Sequence, residues 1–185
     1  MTLVFVTSNP HKFEEVQEIA ARQGVEVTRS QIPYIEIQSD SLEEIVQVGA
    51  QQASALFRAP CFVEDAGLFV DALKGFPGPY SKYAFMTIGN QGLLKLLDGV
   101  PDRGAEFRSA VGYCAPGGKT SVFSGKVRGT ITTSPRGLKG FGFDPIFSPE
   151  GENLTFGEMS TAEKNKFSHR ARAVEEFIRW FKTGK

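Results

Sequence analysis

The sequence predicts an α/β protein with a mixed sheet, and three observations carry that prediction. The first quarter of the chain alternates strand-like and helical segments, the pattern of strand, crossover helix and parallel strand. Two long strand-like runs, residues 105–115 and 120–132, flank Pro116-Gly117-Gly118, whose glycines suit a tight hairpin. Such antiparallel strands beside strand-helix alternation call for a sheet of both kinds. The third is size: 185 residues fit one domain, or two lobes sharing a core, and bury roughly 70% of the unfolded chain's surface.

Thr2-Leu3-Val4-Phe5-Val6-Thr7, β-branched and aromatic, is the first strand. Asn9 then caps a helix with Pro10 in its first turn, Phe13, Val16, Ile19 and Ala20 on one face, and Gly24 past its end. A strand turning tightly into a helix presents backbone amides and the positive end of a dipole, which suits a phosphate, and Lys12 adds a point charge one turn in. An ordinary capped helix with a solvated lysine reads equally well on this segment alone. Val25 to Thr28 is a second strand, and Tyr34-Ile35-Glu36-Ile37 a short extended piece with Glu36 pointing away from its apolar neighbours. Ser41 and Glu44 have capping-box spacing and open a helix carrying Ile45, Val46, Ala53, Leu56 and Phe57, which ends before Pro60.

The chain is organised around Cys61-Phe62-Val63-Glu64-Asp65-Ala66-Gly67. A short apolar run ends in adjacent carboxylates, and in a mostly parallel sheet such strand ends open into the crevice where ligands bind. Two acids that merely solvate a strand end are the plain alternative. Gly75-Phe76-Pro77-Gly78-Pro79-Tyr80-Ser81-Lys82 is a turn too rich in glycine and proline to be regular structure, closing on a lysine. Tyr83 to Leu97 is helical with a break near Gly89-Asn90, and its leucines pack on the sheet or on a partner chain. Gly137 to Pro145 is a glycine-spaced loop containing Phe141, Phe143 and Asp144; its rings either stack on a base or plug the core. Ser160 and Glu163 form a second capping box, and Ser168-His169-Arg170 opens a helix with Ala171, Val174, Phe177, Ile178 and Phe181 on one side. Lys164, His169 and Arg170 gather donors near helix starts, as a ligand site or as a solvated basic patch.

Composition removes whole classes of function. Formal net charge is zero, so neither a nucleic-acid footprint nor a polybasic membrane patch is indicated, and any anion site is local. Only two histidines, His11 and His169, exclude a multi-histidine metal cage. Cys61 and Cys114 lie in apolar runs without metal-ligand spacing and read as buried thiols of a reducing compartment. No apolar run approaches the ~20 residues of a membrane span, and no signal-peptide layout is present, so a cytoplasmic protein is expected. What remains is a phosphate cradle, two or three carboxylates, a stacking ring and a donor cluster. Nucleoside triphosphate chemistry uses all four. Mg²⁺ takes one or two carboxylates plus substrate phosphates, which matches Glu36 with Glu64 or Asp65.

Five stretches together resemble one family. Thr7 to Lys12, Val63 to Leu68, Phe76 to Lys82, Gly140 to Pro145 and Glu163 to Arg170 are similar, in order and from end to end, to the motif series of the inosine triphosphate pyrophosphatase family. One such motif is a modest hint; five in sequence are specific. The resemblance implies a single domain over residues 1–185, an elongated mixed sheet with flanking helices forming two lobes around a nucleotide-binding groove, and a homodimer. It implies hydrolysis of ITP, dITP and XTP to the monophosphate and pyrophosphate with Mg²⁺, or Mn²⁺ in its place, which keeps deaminated purines out of DNA and RNA. By similarity Thr7, Asn9 and Lys12 hold the triphosphate, Glu36 and Asp65 hold the metal with Glu64 as the alternative ligand, and Asp65 is the general base. Lys82 takes up pyrophosphate charge, Phe143 stacks on the base beside Asp144, and Lys164, Ser168, His169 and Arg170 read the base and steady the phosphates. Two positions depart from the pattern: Ser8 stands where many members have Gly, and Phe143 where some have Trp.

Two other readings compete. A pyrophosphatase for modified pyrimidine nucleotides on a related fold needs the same cradle and acids without a purine-sized slot. A nucleotide-binding or RNA-binding module without turnover is the other; neutral charge and placed carboxylates argue against RNA, since acids repel phosphates unless a metal stands between them.

Overall fold

The computed structural model describes residues 2–184. The chain runs β1 (Thr2–Val6), α1 (Pro10–Arg22), β2 (Glu26–Ser30), α2 (Leu42–Phe57), β3 (Cys61–Val70), β4 (Pro77–Gly78), α3 (Ser81–Leu96), β5 (Gly104–Cys114), β6 (Ser121–Ile131), β7 (Phe147–Pro149), α4 (Thr161–Lys164) and α5 (His169–Thr183). The strands form one open sheet in the order β2-β1-β3-β5-β6-β7, with β4 paired to β3 off that path. β1 runs parallel to β2 and β3, whereas β4 is antiparallel to β3 and β7 to β6. The sheet is mixed, as the alternation and the hairpin together require.

By contacts the chain falls into two compact units. The first comprises residues up to Asp65, Ser109–Gly125 and the segment from His169. Its core is built on Phe62, which stacks on Phe5 at 4.7 Å and tilts against Phe177 at 5.1 Å. Val16, Ile19 and Ala20 of α1 and Val174 and Ile178 of α5 close over it, the two faces the sequence spacing marks as apolar. Each fully buried side chain of this size contributes about 1.5–3 kcal/mol. α5 meets β6 backbone to backbone at Gly125, where a Cβ would lie 2.3 Å from the carbonyl oxygen of His169. Only glycine fits there.

The second unit comprises Ala66–Arg108 and Lys126–Ser168. Its core gathers Leu68, Val70, Phe107, Phe147 and Phe156 with Leu93, Leu94 and Leu97. The leucines that could have faced a partner chain are therefore core, and of that run only Leu96 is half exposed. α3 breaks at Gly89 (φ 60°, ψ −168°), a conformation essentially restricted to glycine.

Two expectations shift, and a third position, Ser8, is settled. β3 does not end at the acids but continues to Val70, placing Glu64 and Asp65 inside a strand. Successive side chains on a strand point to opposite faces, so the two acids meet different surroundings. Residues 31–39 carry no regular structure where a short extended piece was expected. Ser8 has no positive φ, so the loop before α1 accommodates it in an ordinary conformation.

Candidate active site

The start of α1 is organised by Asn9. Its Oδ1 accepts from the backbone N–H groups of His11 and Lys12 at 2.9 and 3.3 Å, and its own N–H donates to Thr7 Oγ1 at 3.2 Å. Amides expected to await a phosphate are thus already satisfied by the cap. The side chains of this turn add the Thr7 hydroxyl hydrogen and Asn9 Nδ2 as donors.

Lys12 reaches from α1 to β3. Its Nζ lies 3.1 Å from Glu64 Oε2, donates to the Glu64 carbonyl oxygen at 3.1 Å and to Asp65 Oδ1 at 3.3 Å. Burial alone would lower the pKa of this ammonium, but Glu64 and Asp65 reverse the effect and hold it above its ordinary value. Glu64 and Asp65 then diverge. The Glu64 side chain is fully buried; its Oε1 accepts from Ser109 Oγ at 2.6 Å and from Arg170 Nε at 3.1 Å. Burial would raise its pKa, yet Arg170 and Lys12 more than offset this and keep it below the ordinary carboxylate range. Arg170 is itself 1% exposed and pairs through Nη1 with Glu15 of α1. Asp65 keeps 30% of its side chain exposed.

Glu36 is exposed, and it acts electrostatically on Tyr34, as Asp65 and Glu64 do. The phenol of Tyr34 is pushed up by burial and then by the negative field of Glu36, Asp65 and Glu64. Among the described residues no three His, Cys, Asp or Glu side chains gather into a protein-only metal cage. A hard cation takes one or two carboxylates and completes its shell with phosphate oxygens, and the partly exposed Asp65 and exposed Glu36 have the donor chemistry for it. Glu64 differs from them: its Oε1 is taken by Ser109 and Arg170, while its buried Oε2 lies 3.1 Å from the Lys12 ammonium and has no hydrogen-bond partner among the described residues.

In the second unit, Lys164 is 2% exposed and donates to Asp144 Oδ2 at 2.7 Å. The same oxygen accepts from the Phe141 backbone N–H at 2.9 Å. The ammonium lies 5.1 Å from the ring centroids of both Phe141 and Phe156. A complete capping box, Ser160 with Glu163, fixes the short α4 that ends in Lys164. Phe143, expected to offer a stacking face, is instead 3% exposed and meets Phe85 edge to face at 5.5 Å. Two residues away, Phe141 is only partly buried. Lys82 is exposed in the first turn of α3, behind Ser81, whose Oγ accepts from Leu68 N–H at 2.8 Å and donates to Gly78 O at 2.6 Å.

The family model described as the Ham1 family matches residues 3–180. The chain belongs to the Ham1 family. It is 54% identical to the dITP/XTP pyrophosphatase of Methanopyrus kandleri, over 98% of this chain and 97% of that one. The dITP/XTP pyrophosphatase of Thermococcus kodakarensis is 52% identical over 98% of each chain. Among solved structures, the HAM1 protein of Coxiella burnetii superposes with a TM-score of 0.86 at 26% identity over 99% of both chains. The nucleoside-triphosphatase / dITP/XTP pyrophosphatase of Mycobacterium abscessus gives 0.73 at 31% identity, over 96% of this chain and 99% of that one.

For this Ham1 chain the structure brings Lys12, Glu64, Asp65 and Arg170 together in one unit, and Asp144 with Lys164 in the other. Ser168 and His169 are buried at the entry to α5. Arg170, expected to read the base, is held by two carboxylates, Glu15 and Glu64. Sequence reading missed Glu15, Ser109 and Tyr34. Glu15 left a trace: it precedes Ile19 by four residues, on the face of α1 that otherwise reads as core.

Proposed function

We infer that the chain is a nucleoside triphosphate pyrophosphatase that hydrolyses deaminated purine nucleotides, ITP, dITP and XTP, to the monophosphate and pyrophosphate. The names of its relatives and the five motifs support the substrate class. The observation that carries the chemistry is Asp65, a partly exposed carboxylate held by Lys12 at the start of α1.

Asp65 orients a water and takes its proton as the water oxygen bonds to the α-phosphorus. The bond from that phosphorus to the bridging oxygen breaks, and pyrophosphate leaves with the electron pair. Thr7, Asn9 and Lys12 donate to the triphosphate, and Lys82 takes up leaving-group charge. Glu36 and Asp65 would hold a bound Mg²⁺, or Mn²⁺ in its place, which would supply positive charge at the phosphate oxygens and make water more acidic. Glu64 acts as a strut that fixes Lys12.

Hypoxanthine and xanthine carry an acceptor oxygen at C6, where adenine carries a donor. Lys164 is a donor with no acceptor capacity, held by Asp144, so it suits the oxygen and leaves adenine unmatched. Phe141 supplies the stacking face, in place of the buried Phe143. Buried free thiols at Cys61 and Cys114 support a reducing, cytoplasmic setting, and among the described residues no helix is long and apolar enough to cross a membrane. A homodimer is part of this proposal, supported by the exposed Tyr83 and Met86 of α3; sedimentation velocity tests it.

Pyrophosphate release from ITP, XTP, GTP, ATP and dUTP with Mg²⁺ tests the whole. Turnover confined to ITP and XTP, and falling about 10²–10⁴-fold in Asp65→Asn, is expected. Equal turnover of all five removes the base reader, and dUTP alone favours the pyrimidine enzyme. Hydrolysis in ¹⁸O-water must label the monophosphate; label in pyrophosphate overturns attack at the α-phosphorus.

A further inference from the structure

Glu36 stands in a segment without helix or strand, residues 31–39, so neither a ladder nor a helical hydrogen bond fixes its carboxylate. Burial of its neighbour does not do so either, because Ile35 is 70% exposed. Two contacts with α2 take that part. The backbone N–H of Ile35 donates to Gln52 Oε1 at 3.1 Å. The ring of Tyr34 lies over Gly49, so near that a Cβ on Gly49 would sit 2.9 Å from Tyr34 Cε2. Gly49 and Gln52 are three residues apart on α2 and therefore share one face of the helix. The two contacts grip the chain immediately before Glu36.

We propose that Tyr34, Gly49 and Gln52 form a seat that positions Glu36 for the divalent cation, with Tyr34 and Gln52 as positioning residues rather than ligands. Gly49 supplies the space, Tyr34 the packing and Gln52 the backbone anchor. Ordering the segment in advance spares the cation that cost on binding. This inference rests on the reading of Glu36 as a cation ligand.

Mn²⁺ binding in the absence of nucleotide, followed by the electron paramagnetic resonance of free Mn²⁺, tests both without turnover. Glu36→Ala should weaken Mn²⁺ binding most. Tyr34→Ala and Gln52→Ala should each weaken it about tenfold, the scale of an outer-shell loss, while Tyr34→Phe, which keeps the ring on Gly49, binds as wild type does. Circular dichroism checks folding, and if Tyr34→Ala fails to fold, Gln52→Ala carries the test. Wild-type affinity in Gln52→Ala and Tyr34→Ala alongside a weakened Glu36→Ala overturns the seat alone. Wild-type affinity in Glu36→Ala overturns the ligand reading and the seat with it.

Discussion

Each unit sets a lysine against a carboxylate, yet the two clusters are balanced differently. In the second unit Lys164 and Asp144 form a closed pair at 2.7 Å, one cation and one anion, each side chain about 3% exposed. In the first unit two cations, Lys12 and Arg170, meet three carboxylates, Glu15, Glu64 and Asp65, and Glu36 lies in the same field. The most exposed of the three paired acids is Asp65. A carboxylate that reaches solvent, as Asp65 does, is open to a hard cation where a buried one is not. A closed pair attracts no ion and instead presents fixed donors, which suits a neutral base. Under the function proposed above, the same device, a buried ion pair, would serve ion capture in one unit and hydrogen-bond sorting in the other.

Arg170→Met should break the first cluster with the largest effect. It leaves Glu15 and Glu64 buried without their guanidinium, and urea unfolding at pH 7 should show a loss of about 3–5 kcal/mol. The pH dependence gives the sign. In the wild type Glu64 titrates below its ordinary value near 4.5, so its contribution is present above that value and is lost as pH falls through the lower folded one. In the variant burial acts with less opposition and raises the Glu64 pKa, so the deficit against wild type should narrow as pH falls from 7 toward 4.5. A deficit constant across that range would mean that the first cluster is not governed by charge.

Lys164→Met should cost less, about 3 kcal/mol, because Asp144 keeps the Phe141 N–H. The comparison sharpens in the double variants. Lys164→Met with Asp144→Leu removes both charges of the pair but also the acceptor of the Phe141 N–H, and should recover part of the loss, whereas Arg170→Met with Glu64→Gln still leaves Glu15 without its guanidinium. Equal recovery in both units would abolish the difference drawn between them. Lys164→Met should also lower kcat/KM for ITP while that for ATP changes little.

The sequence showed the fold well because the fold rests on local pattern. Asn9 and Pro10 opening α1, the glycines at 117 and 118 and the break at Gly89 each depend on a few neighbouring residues. Site residues were legible as types but not as roles. Glu64 and Asp65 are adjacent in sequence, and only strand parity with a long-range arginine, 106 residues away, buries one and leaves the other partly exposed. Phe141 and Phe143 likewise share one motif, and packing against Phe85 decides which ring is core. Glu15 and Ser109 act through partners distant in sequence, which no local spacing reveals.

Ser109→Ala should have the smallest effect, and it separates the two acids of β3. The Ser109 hydroxyl donates to Glu64 Oε1 at 2.6 Å in a buried setting, and removing it should cost about 1.5 kcal/mol, the low end for a hydrogen bond to a charged group. Arg170 remains on the same oxygen and Lys12 beside the other, so Glu64 stays ionised at pH 7. The contact between Lys12 and Asp65 does not involve Ser109, and kcat should stay within about twofold if Asp65 alone meets the water, since the loss of a general base costs about 10²–10⁴-fold. A tenfold fall in kcat at unchanged KM would show that the strut and the base respond as one group. Stability and turnover would then be coupled through Glu64, and the surplus charge of the first unit would belong to the pair rather than to Asp65.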